Sequence, residues 1–128
     1  AKRASHCRVV DSLGMRRYLS ALKYALCVLG NSSSGLVEAP SFGIPTINIG
    51  NRQRGRIQAK SVINCLPEKA DILRALETAC SPEFRELAAK AANPYGDGNT
   101  SGKIHEAIKH TLLSGEIDLK KKFYDIPF

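Results

Sequence analysis

Gly30-Asn31-Ser32-Ser33-Ser34-Gly35 decides how this chain reads, because it follows the short apolar run Leu26 to Leu29 and leads into Leu36-Val37-Glu38-Ala39-Pro40. A buried strand that ends in small polar residues and turns directly into a helix leaves backbone N–H groups and hydroxyls facing outward, an arrangement that holds phosphate. Ser and Gly are equally the ordinary residues of a solvated strand-to-helix turn with a cap, so the run alone leaves both readings open. Downstream, Asn51-Arg52-Gln53-Arg54-Gly55-Arg56 places three guanidinium groups within five positions. If Pro45-Thr46-Ile47-Asn48-Ile49 is the neighbouring parallel strand, both loops lie at the carboxyl ends of adjacent strands, where donors and cations meet. Diphosphate is the anion that suits such a place.

Outward from this stretch the pattern alternates between strand and helix, which predicts an α/β fold with a Rossmann-like parallel sheet flanked by helices. Cys7 to Val10 reads as a strand, and a helix follows from about Met15, with Met15, Tyr18, Leu19 and Leu22 on one face. Leu26 to Leu29 reads as a buried strand. A helix is expected from Gly35 to about Ser41, stopped by Gly43, and Pro45 opens the next strand, which runs to Ile49. Ser61 to Cys65 is a further strand candidate. Beyond it the chain turns helical: Ile72, Ala75, Leu76 and Ala79 form one stripe, and Phe84, Leu87, Ala88 and Ala91 another that Ser81-Pro82-Glu83 starts. A last helix carries Ile104, Ala107, Ile108, Thr111 and Leu112 and ends at Gly115. All these stripes are expected to be core.

From Gly30 to Arg56 the chain resembles the nucleotide-binding half of the hydrolysing UDP-N-acetylglucosamine 2-epimerases. The resemblance rests on Gly-Asn-Ser-Ser-Ser-Gly, on the stretch Glu38 to Gly50, and on Arg52-Gln53 with Gly55-Arg56. It continues in Asn93-Pro94-Tyr95-Gly96-Asp97-Gly98-Asn99 and, more loosely, in Lys122-Phe123-Tyr124-Asp125. Non-hydrolysing relatives carry Asp-Ser-Gly-Gly in the serine loop and Thr-Glu-Arg-Pro after the following strand. This sequence has neither, so the hydrolysing branch is favoured.

The resemblance implies that Ser32 and Ser33, with the amides near Gly35, contact the diphosphate of UDP, that Glu38 accepts from the ribose hydroxyls, and that Arg52 helps to bind UDP. Glu38 follows Ser34 by one helical turn, so its carboxylate can face the same ligand, although a glutamate there also suits the helix dipole. Ser34, Arg56 and Leu13 are additional candidates, Leu13 through backbone groups offered to uracil. Arg54 and Arg56 could equally be solvated, and Leu13 an apolar contact at a helix entry. Asn93 to Asn99 reads as a ligand loop or as the turn into the last helix, where Gly96 and Gly98 suit backbone angles that other residues avoid.

The family resemblance also implies a two-domain, glycosyltransferase-B-type fold with the active site between the halves. Residues 1–115 are then expected to form the C-terminal UDP-binding domain and 116–128, with Lys120-Lys121-Lys122, a surface tail. Ala1 is not a start methionine, and the chain enters a strand-like run almost at once, as a segment cut from a longer parent would. The implied reaction is elimination of UDP by proton removal at the sugar C2, then hydration of the glycal to N-acetylmannosamine. Catalytic base and acid are expected on the N-terminal domain of the same parent chain, the segment alone is expected to be inactive, and no catalytic residue is assigned. The resemblance leaves the sugar open, a diacetamido UDP-sugar included, and leaves a homo-oligomer open.

Nineteen Lys and Arg against 12 Asp and Glu give a net charge of +7, which raises a basic nucleic-acid-binding domain as an alternative. The basic residues are spread along the chain and only 6% of residues are aromatic, so platforms for stacked bases are scarce and no nucleic-acid partner is expected. A non-catalytic nucleotide-sugar-binding module is the other alternative. Cys7, Cys27, Cys65 and Cys80 match neither a zinc nor a redox spacing, so buried, reduced thiols, no metal, no cofactor and a cytoplasmic compartment are expected. His105 and His110 are separated by about 140° around a helix and cannot act as a pair. No apolar run is long enough to span a bilayer, and no membrane partner is expected.

Overall fold

The structure, a computed structural model, describes residues 6–115. The expected tail, 116–128, lies outside the described residues. Two compact units divide between Tyr95 and Gly96.

The first unit is built on a parallel sheet of three strands in the order β1 (Val28–Gly30), β2 (Thr46–Ile49) and β3 (Val62–Cys65). Register pairs Val28 with Thr46, Gly30 with Asn48, and Ile49 with Cys65. The β1–β2 crossover carries short helical turns and the β2–β3 crossover only turns, while helices before β1 and after β3 cover the two faces, so the middle strand is buried along its length. Thr46, Ile47 and Asn48 are accordingly all buried.

Side chains alternate across the sheet as the pleat demands. On one face Val28 packs with Leu22 of α1 (Gly14–Tyr24) and with Ala39 and Ile44. On the other, Ile47 packs with Ala75 and Ala79 of α3 (Lys69–Cys80), joined by Cys27, Ile49, Ile63 and Leu76. α4 (Pro82–Lys90) begins as expected, with Ser81 Oγ accepting from the Phe84 amide and Pro82 in the first turn.

The helix after the serine run is shorter than expected. One turn, α2 (Ser34–Val37), gives way to a 3₁₀ turn over Ala39–Phe42. Pro40 has no N–H to give to the carbonyl four residues earlier, so an α-helix to Ser41 cannot close its ladder. Gly43 ends the 3₁₀ turn at φ +64, and a Cβ there would stand 3.0 Å from the Ala89 backbone, so α4 packs directly on this stop.

Cys7 to Val10 does not form the expected strand. It pairs with nothing among the described residues, and Val9 is 95% exposed. Strand propensity supplies no ladder partner, and the exposed backbone groups of this run are left to water. The thiols also differ from expectation: Cys7 and Cys80 are exposed, while Cys27 and Cys65 are half-buried at the ends of the sheet.

The second unit is α5 (Thr100–Ser114) with the turn before it. Asp97 Oδ1 accepts from the Asn99 amide at 2.9 Å, Asp97 Oδ2 from Lys103 Nζ at 3.3 Å, and Gly115 closes the helix at φ +67. The stripe expected to be core buries nothing: Ile104, Ile108 and Leu112 are exposed. A single helix has no second layer of its own to cover an apolar face. No helix among the described residues is long and apolar enough to cross a membrane.

Candidate functional site

Parallel strands put the loops after β1, β2 and β3 along one edge of the sheet, the edge where ligands of open α/β sheets bind. Asn31 to Ser33 leave β1, Gly50 to Arg56 leave β2, and Leu66-Pro67 leave β3. The first two loops touch. Gln53 Nε2 donates to the Asn31 carbonyl at 2.7 Å, and Arg52 Nη1 approaches the same oxygen at 3.4 Å. The serine turn and the arginine turn, expected to meet at this edge, therefore share an anchor.

Ser32 is exposed and Ser33 half-buried at the tip of β1. Their amides find no acceptor among the described residues, because the turn's own bonds begin with Gly35 N to Ser32 O at 3.2 Å and Leu36 N to Ser33 O at 3.0 Å. Ser32 Oγ accepts from the Ser34 amide at 3.3 Å, while the Ser33 side chain makes no capping bond. A four-residue helix carries little macrodipole, so these local amides and hydroxyls are what this turn offers an anion.

Other expected residues have structural duties. Ser34 Oγ is hydrogen-bonded to the Tyr18 hydroxyl, which ties α1 to the serine turn. Gly35 is buried: its carbonyl accepts from Thr46 Oγ1 at 2.8 Å, and an added Cβ would meet Thr46 Cγ2 at 2.6 Å. Glycine is thus required for the turn to lie against the middle strand. Leu13 precedes α1 as an exposed residue and ends no strand, since the strand expected before it is absent from the described residues.

Glu38 is half-buried at the junction of α2 and the 3₁₀ turn, and its Oε2 is buried without a hydrogen-bond partner among the described residues. Arg52, Arg54 and Arg56 are exposed, and none belongs to an ion pair among the described residues. Among the three, Arg52 is the one whose side chain hydrogen-bonds to the serine turn among the described residues. The turn thus offers free amides and hydroxyls with a guanidinium fastened to it, and the segment that follows carries a carboxylate with one unpartnered oxygen. Donors and an acceptor of these kinds suit an anion and a hydroxylated group; among the described residues they include no pair of groups placed for proton transfer.

Next to it, beyond β2 and β3, a hollow of about 400 Å³ is lined by Gly50, Asn51, Asn64, Cys65, Leu66 and Pro67. Asn64 Oδ1 accepts from Asn48 Nδ2 at 2.8 Å, and Asn64 Nδ2 donates to Gln58 Oε1 at 2.8 Å, so a run of carboxamides underlies this edge. Burial pushes the Cys65 thiol above its ordinary value, with the Asp71 carboxylate adding to the effect. Among the described residues, no cluster of His, Cys, Asp or Glu could hold a metal ion.

Two features escape a reading of the sequence. Gln53, between two exposed arginines, is buried. Asn93 donates to the Val37 carbonyl at 2.9 Å and to Ser41 Oγ at 2.7 Å, so this motif residue braces the segment that carries Glu38. The pattern signals are slight: a polar residue inside a basic loop, and an asparagine ahead of a proline.

The chain is similar to known proteins. The family model described as UDP-N-acetylglucosamine 2-epimerase matches residues 1–109. The polysialic acid biosynthesis protein P7 of Escherichia coli is 39% identical over 120 residues, covering 94% of this chain and 30% of that protein. The GDP/UDP-N,N'-diacetylbacillosamine 2-epimerase (hydrolyzing) of Campylobacter jejuni is 39% identical over 127 residues, covering 98% of this chain and 32% of that protein. A crystal structure from Listeria monocytogenes, described as a UDP-N-acetylglucosamine 2-epimerase, superposes with a TM-score of 0.71 at 26% identity, over 92% of this chain and 32% of that one. The chain therefore spans about a third of the length of the relatives it matches.

Proposed function

This chain belongs to the UDP-N-acetylglucosamine 2-epimerase family, and from that premise we propose that it supplies the UDP-binding half of a hydrolysing UDP-sugar 2-epimerase. The observation that carries the reading is the shared anchor on the Asn31 carbonyl, which fastens the turn of Arg52 and Gln53 to the turn that holds the free amides of Ser32 and Ser33. In this reading those amides, the Ser33 hydroxyl and Arg52 hold the diphosphate, and Glu38 accepts from the ribose. Ser34 and Gly35 shape the turn, Arg56 adds long-range attraction, and Leu13 lies toward the uracil side. The nucleotide-binding domain runs to residue 115 and is completed by an N-terminal domain of the same parent chain.

The chemistry assigned to the parent removes the C2 proton of the sugar, breaks the C1–O bond and releases UDP as the leaving group. Water then adds to the glycal, hydroxyl to C1 and proton to C2, which gives N-acetylmannosamine from UDP-N-acetylglucosamine. Donors fixed around the diphosphate stabilise the charge that develops as UDP departs, a role that needs no proton transfer from this half. The absence of Asp-Ser-Gly-Gly and Thr-Glu-Arg-Pro supports the hydrolysing branch, as does the name of the Campylobacter relative. The names of the relatives support a place in the synthesis of acidic or diacetamido sugars, with N-acetylglucosamine and diacetamido UDP-sugars as the candidate substrates. Use of a nucleotide sugar and free thiols support the cytoplasm as the compartment.

The test is UDP binding and UDP-sugar turnover by the intact protein that carries this segment. Arg52→Ala and Ser33→Ala are expected to weaken UDP by about tenfold each, the scale of one charge-assisted hydrogen bond. Wild-type affinity and turnover in both variants would overturn the site.

A further inference from the structure

The arginine turn contains a residue to which anion binding gives no task. Gln53 is 3% exposed, although Arg52 and Arg54 on either side are exposed. Its Nε2 donates to the Asn31 carbonyl at 2.7 Å, and because a carbonyl can only accept, this bond fixes which way the carboxamide faces. Oε1 is then left buried with no donor among the described residues. Leaving such an oxygen unpaired is costly, and methionine would fill the same volume without that cost. Packing alone therefore does not account for glutamine here.

What the carboxamide provides is a fastening between two loops. Arg54 N bonds to Asn51 O at 2.9 Å and Arg56 N to Gln53 O at 3.2 Å, so residues 51–56 wind into consecutive tight turns that move with Gln53. Arg52 reaches the same Asn31 carbonyl at only 3.4 Å, a long and weak contact that would not hold a flexible, solvated side chain in place. The short bond from the buried neighbour is the one that sets the spacing between the turns.

We propose that Gln53 is a positioning residue: its buried carboxamide fastens the arginine turn to the serine turn, and Arg52 contributes to nucleotide affinity only while that fastening holds. This rests on the UDP-site reading above and assigns Gln53 a task within it.

The experiment is a double-substitution cycle in the intact protein, titrated calorimetrically with UDP and with inorganic pyrophosphate. Gln53→Met is expected to weaken both ligands by about tenfold in the wild-type background and by no more than about twofold with Arg52→Ala, a coupling typical of residues that act together. Thermal unfolding of Gln53→Met should stay at or above that of wild type. Equal losses in both backgrounds, or none in either, overturn the inference. If Gln53→Met does not fold, Gln53→Glu takes its place, since a carboxylate of the same shape cannot donate to the Asn31 carbonyl; failure of both to fold also overturns it, because the role is then structural. A wild type that ignores UDP, or an Arg52→Ala variant that binds it as tightly as wild type, overturns the site reading and this inference with it. Weakened Arg52→Ala with uncoupled Gln53 overturns the inference alone.

Discussion

Asn93 Nδ2 lies 2.9 Å from the carbonyl oxygen of Val37, a residue 56 positions earlier in the chain, and 2.7 Å from Ser41 Oγ, so one carboxamide grips both ends of the segment holding Glu38. Its Oδ1 accepts from the Tyr95 amide at 2.9 Å, and the Tyr95 hydroxyl donates to the Ile57 carbonyl, just past the arginine turn, at 2.9 Å. A short motif after α4 thus braces both loops of the candidate site. Asn93→Ala removes two donated bonds and an accepted one, and is expected to cost about 1–3 kcal/mol. Urea unfolding should show a lower midpoint at unchanged slope, with weaker UDP binding alongside. An unchanged midpoint would show that these bonds merely replace bonds to water.

Gly35 and Thr46 make a second, sharper test. A methyl group on Gly35 would stand 2.6 Å from Thr46 Cγ2, a distance real side chains do not adopt, so Gly35→Ala must push the serine turn off the middle strand. Overpacking of this kind costs about 1–3 kcal/mol. Thr46→Ser removes the obstructing methyl and keeps the hydroxyl that donates to the Gly35 carbonyl at 2.8 Å. Gly35→Ala should therefore cost clearly less in the Thr46→Ser background, as read from denaturation of the four variants. Additive costs would remove the clash from the explanation.

The start of α5 is expected to respond to acid. The Asn99 amide, then Lys103, hold the Asp97 carboxyl below the ordinary value of 3.8. A lowered folded-state value means that the carboxylate favours the ordered turn above the unfolded value and that this support is lost as pH falls through the folded one. Hydrogen exchange at the Asn99 amide should lose protection below about pH 4 in wild type. In Asp97→Asn this acid-dependent loss should be absent; an identical profile in both would assign the transition to another group.

What could be read beforehand follows from which residues act locally. Val28, Ile47 and Ile63 announce strands, Gly43 and Gly115 announce stops, and Ser81-Pro82 announces a start, because each signal depends on its own few neighbours. The serine and arginine loops were legible as partners because a parallel sheet must carry them to one edge. Cys7 to Val10 misled because strand formation needs a partner that no local pattern supplies. Glycine at position 35 reads as a donor to phosphate, yet its requirement lies in Thr46, on the next strand. The tasks of Gln53 and Asn93 were invisible for the same reason: both act on carbonyls distant in sequence, of Asn31 and Val37, whose positions only the folded chain reveals.

Glu38 supplies the prediction closest to function. Glu38 keeps one carboxylate oxygen buried without a donor, which is unfavourable for packing alone, and the vicinal diol of a ribose brings two O–H donors of the kind a carboxylate accepts. Pyrophosphate brings no vicinal diol, so the two ligands separate the roles of the site. Glu38→Gln should weaken UDP by about tenfold while changing inorganic pyrophosphate by less than about twofold, the difference being the loss of a charge-assisted bond. 2′-Deoxy-UDP should bind wild type less tightly than UDP, and the variant should no longer distinguish them. If pyrophosphate falls as far as UDP, Glu38 organises the serine turn instead of meeting the ribose, and its unpartnered oxygen is a cost of that packing.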